Sequence, residues 1–315
     1  MWVSLALLLL GVLTALTAPR LLARADWVER EPVVALWVWQ CVVAAVLVSF
    51  ALSMTFSAAA AWQAVRGQVF APAPRAVLDA YELSTDGGPW SAVLAVVLAA
   101  GGLWTGAMLG REIGLARARR RKRRDDLLVR APRLPGEEET EGGRLVVLEG
   151  ERPDAWWLPG TTPRLVVTTA ALRRLKGRQL DALLAHEQGH ARARHDWLLH
   201  CSGALASGFP GVPVFTAFRE EMHRLVELAA DDVASRRFGR LTVALALVEL
   251  NEERGVFAAP PGTGIEAGLP QRVDRLLAAA PRLPAGHRLR LTATAALVPV
   301  VPVLVAFFPG LAALG

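Results

Sequence analysis

Arg178-Gln179-Leu180-Asp181-Ala182-Leu183-Leu184-Ala185-His186-Glu187-Gln188-Gly189-His190-Ala191-Arg192 is the stretch on which the reading turns. Leu180, Leu183 and Leu184 recur at helical spacing, so a helix with one apolar face is predicted from Arg178 onward. Residues four apart lie one above the other on a helix. His186 and His190 can therefore converge on one ion. Glu187 stands about 100° round from His186, where its carboxylate can meet a water beside that ion without being a ligand. The pattern is HExxH, whose mechanics are those of a zinc site with an adjoining general base. The bland alternative, a surface helix that happens to carry His and Glu, sits poorly with the apolar periodicity of the same turns.

A zinc ion of this kind needs a third protein ligand and a position left open. Downstream, Arg219–Arg237 is the next strong helical pattern, and it contains Glu227-Leu228-Ala229-Ala230-Asp231-Asp232. Glu227 and Asp231 share a face. Glu227 as ligand, with Asp231 bracing a ligand histidine, would make a coherent set. The competing reading is a solvated acidic face, of which Glu220, Glu221 and Asp232 look like ordinary examples. Spacing alone leaves the two readings of Glu227 open.

Working toward the N-terminus, Arg144–Glu149 and Arg164–Thr168 read as short strands, separated by Ala155-Trp156-Trp157-Leu158-Pro159-Gly160. Thr169 is placed to cap a short helix ending near Gly177. Before them, 132–143 is rich in Pro, Gly and Glu and lacks periodicity.

The rest of the chain is dominated by apolar runs. It has 315 residues, 53% of them hydrophobic, and a formal net charge of +6. That composition excludes a disordered chain, and two cysteines exclude a disulfide framework. Crossing a bilayer takes about 20 apolar residues. Spans are predicted at about 1–19, 33–62, 89–110 and 289–315. The first lacks a basic n-region and is followed by Arg20 and Arg24, so a retained span is expected rather than a cleaved signal.

Basic residues gather at 20–30, at 111–124 and at 282–290, whereas the loop between the second and third spans is poor in them. By the positive-inside rule the N- and C-termini lie outside and residues 111–290 in the cytoplasm. The Arg119–Arg124 run follows a span directly, which favours contact with an anionic inner leaflet over nucleic acid. The expected organisation is three spans within 1–110, a basic segment and linker at 111–143, a catalytic domain at 144–285, and a fourth span. The fold class is a mainly α membrane protein with an α+β cytoplasmic domain.

One run resists that scheme. Trp197–Phe218 has no Asp, Glu, Lys or Arg. As a full span it would part His190 from Glu227 across the membrane. As two spans it would need about 40 residues. A re-entrant hairpin, an interfacial segment or a packed loop remain, with a shallow apolar hairpin against the inner leaflet or the spans preferred.

HExxH followed by ExxxD resembles the gluzincin metallopeptidases. With three spans before the domain and one after, the chain resembles the membrane metallopeptidases of the Bla/Mec beta-lactam-sensing transducers. The resemblance implies one zinc held by His186, His190 and Glu227, with Glu187 as catalytic base and Asp231 bracing a histidine. It also implies a protein substrate, such as a cytosolic repressor. There are two departures. No Ser-x-x-Lys pair is present to be acylated by a beta-lactam, so a short form without the penicillin-binding sensor is expected. His195 also stands five positions after His190, where many members carry an acidic residue.

An oxyanion needs a donor besides the metal. Tyr81, the only tyrosine, is predicted to lie outside the cell. His223, one turn before Glu227, is the first candidate and His195 the second, each against the alternative of a partly exposed polar histidine. Edge addition of substrate to the 164–168 strand is a further expectation. A non-proteolytic transducer with a zinc site and a membrane quality-control protease are the competing functions. Oligomeric state is left open.

Overall fold

The computed structural model describes residues 2–66, 144–151, 153–158, 164–251, 268–278 and 281–312, with scattered helical positions between 93 and 122. Helix α1 (Trp2–Ala23) is apolar on all sides and is followed by a single turn, α2 (Trp27–Arg30), and the long α3 (Pro32–Arg66). Ser4, Leu7, Gly11, Ala15 and Ala18 form the buried stripe of α1. Small residues let two helix backbones approach closely. A Cβ at Gly11 would come within 3.1 Å of Ser49 Cβ on α3, and Ser53 Oγ donates to Ser4 O at 2.8 Å.

Trp2–Ala23 and Pro32–Ala59 are long and apolar enough to cross a membrane. The expected fourth span is a pair, α10 (Ala285–Leu297) and α11 (Val300–Ala312), bent by 44°. Pro299 sits at the break, where a missing N–H interrupts the helical ladder. Trp37 Nε1 on α3 donates to Thr292 O on α10 at 3.2 Å. The expected third span, the linker and Tyr81 fall mostly or wholly outside the described residues; the described positions within 89–110 are helical.

Among the described residues the sheet has three strands, β1 (Arg144–Leu148), β2 (Ala155–Leu158) and β3 (Arg164–Thr168), in the order β1-β3-β2. β3 pairs parallel to β1 and antiparallel to β2. This corrects two expectations. Ala155–Leu158 is a strand rather than a connection, its Trp-Trp pair suiting a pleated surface. β3 is paired on both sides, so edge addition there is impossible, and among the described residues the outer strands are β1 and β2.

Helix α4 (Thr169–Arg174) is capped by Thr168, whose hydroxyl accepts from Ala171 N at 3.2 Å. The cap is thus one residue earlier than predicted. Then come α5 (Arg178–Arg192), α6 (His195–Gly208), α7 (Pro213–Phe238), α8 (Arg240–Asn251) and α9 (Leu269–Ala278). The sequence pattern started α7 at Arg219. Pro213 is its first residue, a favoured position because that N–H has no intrahelical partner, and the apolar turns before Arg219 belong to the same helix.

Two cores flank α5. One joins Leu165, Val167 and Leu175 to Leu183, and the other joins Ala182 and Ala185 to Ala234, Val243 and Leu276. A third core runs from Ala15, Ala18, Ala35, Trp39 and Val46 of the first two apolar helices into Leu205, Phe215, Phe218 and Val226 of α6 and α7. The apolar 197–218 run is therefore a helical hairpin packed on α1 and α3.

Candidate metal centre

Helices α5 and α7 cross where α5 carries glycine. A Cβ at Gly189 would touch Ala230 Cα and Val233 Cβ at 3.4 Å, so there is room for a methyl group and little more. Glycine in a helix interior costs about 1 kcal/mol relative to alanine; here it lets the backbone of α5 rest on α7.

That approach sets the geometry of the predicted donors. His186 Nε2 lies 3.1 Å from His190 Nε2 and 3.4 Å from Glu227 Oε2. His190 Nε2 lies 3.4 Å from Glu227 Oε1. Zinc bonds to nitrogen and oxygen are about 2.0–2.2 Å, and a tetrahedron of that size has edges of about 3.3 Å. The two imidazoles present Nε2 to the same side and each faces a different oxygen of Glu227, so one donor atom from each of the three residues lies close enough to share a cation.

Each histidine is steadied at its outer nitrogen. Asp231 Oδ1 stands 3.0 Å from His186 Nδ1, a charge contact that lacks the angle of a hydrogen bond. His195 Nδ1 is 3.0 Å from His190 Nδ1. The second contact depends on the turn after α5. Arg194 adopts φ +52°, the left-handed region uncommon for a side-chain-bearing residue, and so starts α6 at once. His195 is thereby folded back onto His190.

Arg272 on α9 was not among the sequence candidates. Its Nε and Nη2 donate to Asp231 Oδ2 and Oδ1 at 2.8 and 2.7 Å, and its Nη1 is 2.8 Å from Glu227 Oε2. The amphipathic Leu269–Ala278 helix offers Arg272 and Arg275 three residues apart, and nothing local distinguishes them. The available signal was a charge count, since two carboxylates at one site, Glu227 and Asp231, call for cations beside them.

Arg275, one turn further along α9, meets different partners. Its Nε donates to Glu29 O at 2.7 Å and its Nη2 to Asp232 Oδ1 at 2.9 Å. Arg282 also reaches Asp232. Asp232 is thus covered by arginines rather than solvated, while Arg224 bridges Glu221 and Glu29. The turn between α1 and α3 consequently lies on the same side of the molecule as the metal cluster.

Electrostatics follow from burial and these partners. Burial opposes charge on His186, but Asp231 and Glu227 override it and push the imidazole up to about 10. Burial and then the His186 charge bring His190 down to about 3. Burial takes His195 down to about 4. Glu227 is held well below the carboxylate range, its burial outweighed by His186, Arg272 and His190. Asp231 is likewise held down, chiefly by Arg272 and His186. The cluster therefore retains one cation beyond Arg272. A proton on His186 serves in the metal-free chain, and a divalent ion would take its place.

Glu187 is half-buried, and its charge is felt by Arg272. His223 lines a cavity of about 1370 Å³ together with Glu227 and Arg272. Burial and Arg219 pull its imidazole below the ordinary value. The structure therefore brings His186, His190, Glu227, Asp231 and His195 into one cluster, with His223 on an adjoining wall.

Residues 117–284, just over half of the chain, match the family Peptidase family M48. The chain belongs to peptidase family M48. No curated protein and no solved structure matches it. As an M48 peptidase it is a metal-dependent hydrolase, and its His186-His190-Glu227 cluster has the composition and geometry to bind the metal. The matched residues contain the whole cluster, including the unforeseen Arg272.

Proposed function

We propose that this M48 peptidase is a zinc-dependent endopeptidase of the cytoplasmic membrane, with its active site in the cytoplasm. The observation that carries the reading is the convergence of His186 and His190 from the HExxH helix with Glu227 of α7, at contacts of 3.1 to 3.4 Å. His186, His190 and Glu227 would hold the ion. Zinc, when bound, supplies a Lewis acid that makes an adjacent water acidic near neutral pH. Glu187 accepts a proton from the attacking water and returns it to the leaving amine. Asp231 and His195 fix the orientation of the two imidazoles. His223, from the cavity wall, donates to the developing oxyanion.

Four spans, with both termini outside, fit the basic segments. The shared side of the α1–α3 turn and the cluster supports that arrangement, since both carry residues expected in the cytoplasm. The order of spans and domain, which resembles the Bla/Mec transducers, supports a protein substrate in a signalling pathway, such as a cytosolic repressor.

Glu187→Gln tests the reading. Zinc content of the purified protein should stay at one per chain, while the mutant's cells accumulate one uncut protein visible by quantitative proteomics. Accumulation of many membrane proteins would turn the reading to quality control. An unchanged proteome with intact biological output would replace it with a non-proteolytic transducer.

A further inference from the structure

The hairpin of α6 and α7 carries no Asp, Glu, Lys or Arg from Trp197 to Phe218, and its core-facing side packs on α1 and α3. Two contacts set its level, one against α2 and one against α3, which follows α2 directly along the chain. Arg224 Nη1 meets Glu29 Oε1 at 3.0 Å, and the Phe218 ring meets Trp39 with centroids 6.2 Å apart. Going back along α7 from 224 to 218 goes forward along the chain from 29 to 39. The two helices are therefore antiparallel, and the α7 N-terminus points along α3 in the direction of its apolar interior.

The lipid face can be placed on the same scale. Charge resumes at Arg219, level with Trp37–Trp39 of α3, and tryptophan is enriched at membrane–water boundaries. From Trp37 to Ala59, where the apolar window of α3 ends, a helix runs about 33 Å, matching a hydrocarbon layer of about 30 Å. The turn at Phe209–Val212 then lies about 12 Å inside that face, most of the way to the bilayer midplane. Trp197, an exposed residue at the start of α6, falls about 6 Å outside it, at headgroup level.

Backbone at such depth must have its polar groups satisfied. Phe209 N donates to Leu205 O at 3.0 Å, Val212 N to Phe209 O at 3.1 Å, and Phe215 N to Val212 O at 3.1 Å. Pro210 and Pro213 have no N–H to satisfy.

We propose that residues 205–218 form a re-entrant hairpin, entering the bilayer from the side of the metal centre and leaving by the same side. Its outer face, which includes the exposed Ser207 and Thr216, rests on lipid acyl chains. Short hydroxyl side chains on a helix can bond to the carbonyl one turn back, so they are compatible with an apolar surround. Because α7 is continuous, Glu227 is carried about 12 Å outside the hydrocarbon edge, which seats the metal centre just above the headgroups. This depth is set by α3 and does not depend on the catalytic reading.

The test uses the full chain in phospholipid nanodiscs. Spin labels at Ser207→Cys and Thr216→Cys, in a Cys41→Ser/Cys201→Ser background, should collide with oxygen in strong preference to a water-soluble nickel chelate. The oxygen-to-nickel ratio should be several-fold above that at exposed Ala193→Cys, with position 207 the deeper site. Nickel access equal to that at position 193 would overturn the proposal. The natural chain supplies a second measurement, with a phospholipid carrying a mid-chain diazirine as photoprobe. Adducts within 205–218 support re-entry. Adducts confined to α1, α3, α10 and α11, or cross-links from the hairpin only to a second copy of the chain, overturn it.

Discussion

Replacing Arg272 with methionine keeps much of the side-chain volume and removes the guanidinium that bridges Asp231 and Glu227. That group is mostly buried and makes three contacts of 2.7 to 2.8 Å. Asp231 has no exposed surface. Breaking a buried ion pair by removing one partner costs about 3–5 kcal/mol. A limit follows from the escape open to the orphaned carboxylate, which can take up a proton. At pH 7 that costs about 4 kcal/mol for a group of ordinary aspartate pKa, and at pH 5 less than about 2 kcal/mol. The metal-free Arg272→Met protein should thus lose about 3–4 kcal/mol at pH 7, on the order of 10 °C in melting temperature, and under half as much at pH 5. The assay is thermal unfolding by circular dichroism in detergent, with surface Arg236→Met as the control, expected within about 0.5 kcal/mol of the natural protein. A loss below about 1 kcal/mol at pH 7, or an equal loss at both pH values, would refute the argument that these carboxylates depend on Arg272.

Other consequences follow from the same cluster. His195→Ala should weaken zinc binding about 10–100-fold by releasing the His190 ring, read by chelator competition, while His195→Gln recovers part of the affinity. The metal-free protein should be most stable near pH 6.5. His186, raised to about 10, contributes stability that is full below pH 6.5 and is lost as pH rises toward 10. His190 and His195, lowered to about 3 and 4, contribute stability present above pH 6.5 and lost as pH falls toward those values. Melting temperature against pH should therefore pass through a maximum, and saturating zinc, which displaces the His186 proton, should flatten the alkaline limb. Gly189→Leu should part α5 from α7 and abolish stoichiometric zinc, whereas Gly189→Ala retains it; equal zinc content in both would contradict the packing argument.

Much of this was legible in the chain, for identifiable reasons. HExxH and ExxxD announce themselves because a helix repeats every 3.6 residues, so spacing alone aligns the donors. The boundary of α5 at Arg178 followed from its apolar periodicity, and the first two membrane-length helices from their uncharged runs. The start of α7 was misplaced because its first turns carry no charged residue to mark a polar face, so they show no helical period in the sequence. β3 was taken for an edge because pairing order is a long-range property that a five-residue strand does not encode. Asp232 looked solvated because the arginines that cover it lie 43 and 50 residues away.

The order of residues along the chain determined which groups could serve one ion and on which helices they sit. Tertiary structure decided the rest: that Arg272 rather than Arg275 meets Asp231 and Glu227, that His195 turns back onto His190, and that the apolar hairpin packs on α1 and α3. Helical spacing is a local matter of backbone geometry. Partners contributed by α9, by a left-handed turn and by a membrane helix nearly 200 residues away in the chain are chosen by packing, which depends on the whole shape at once.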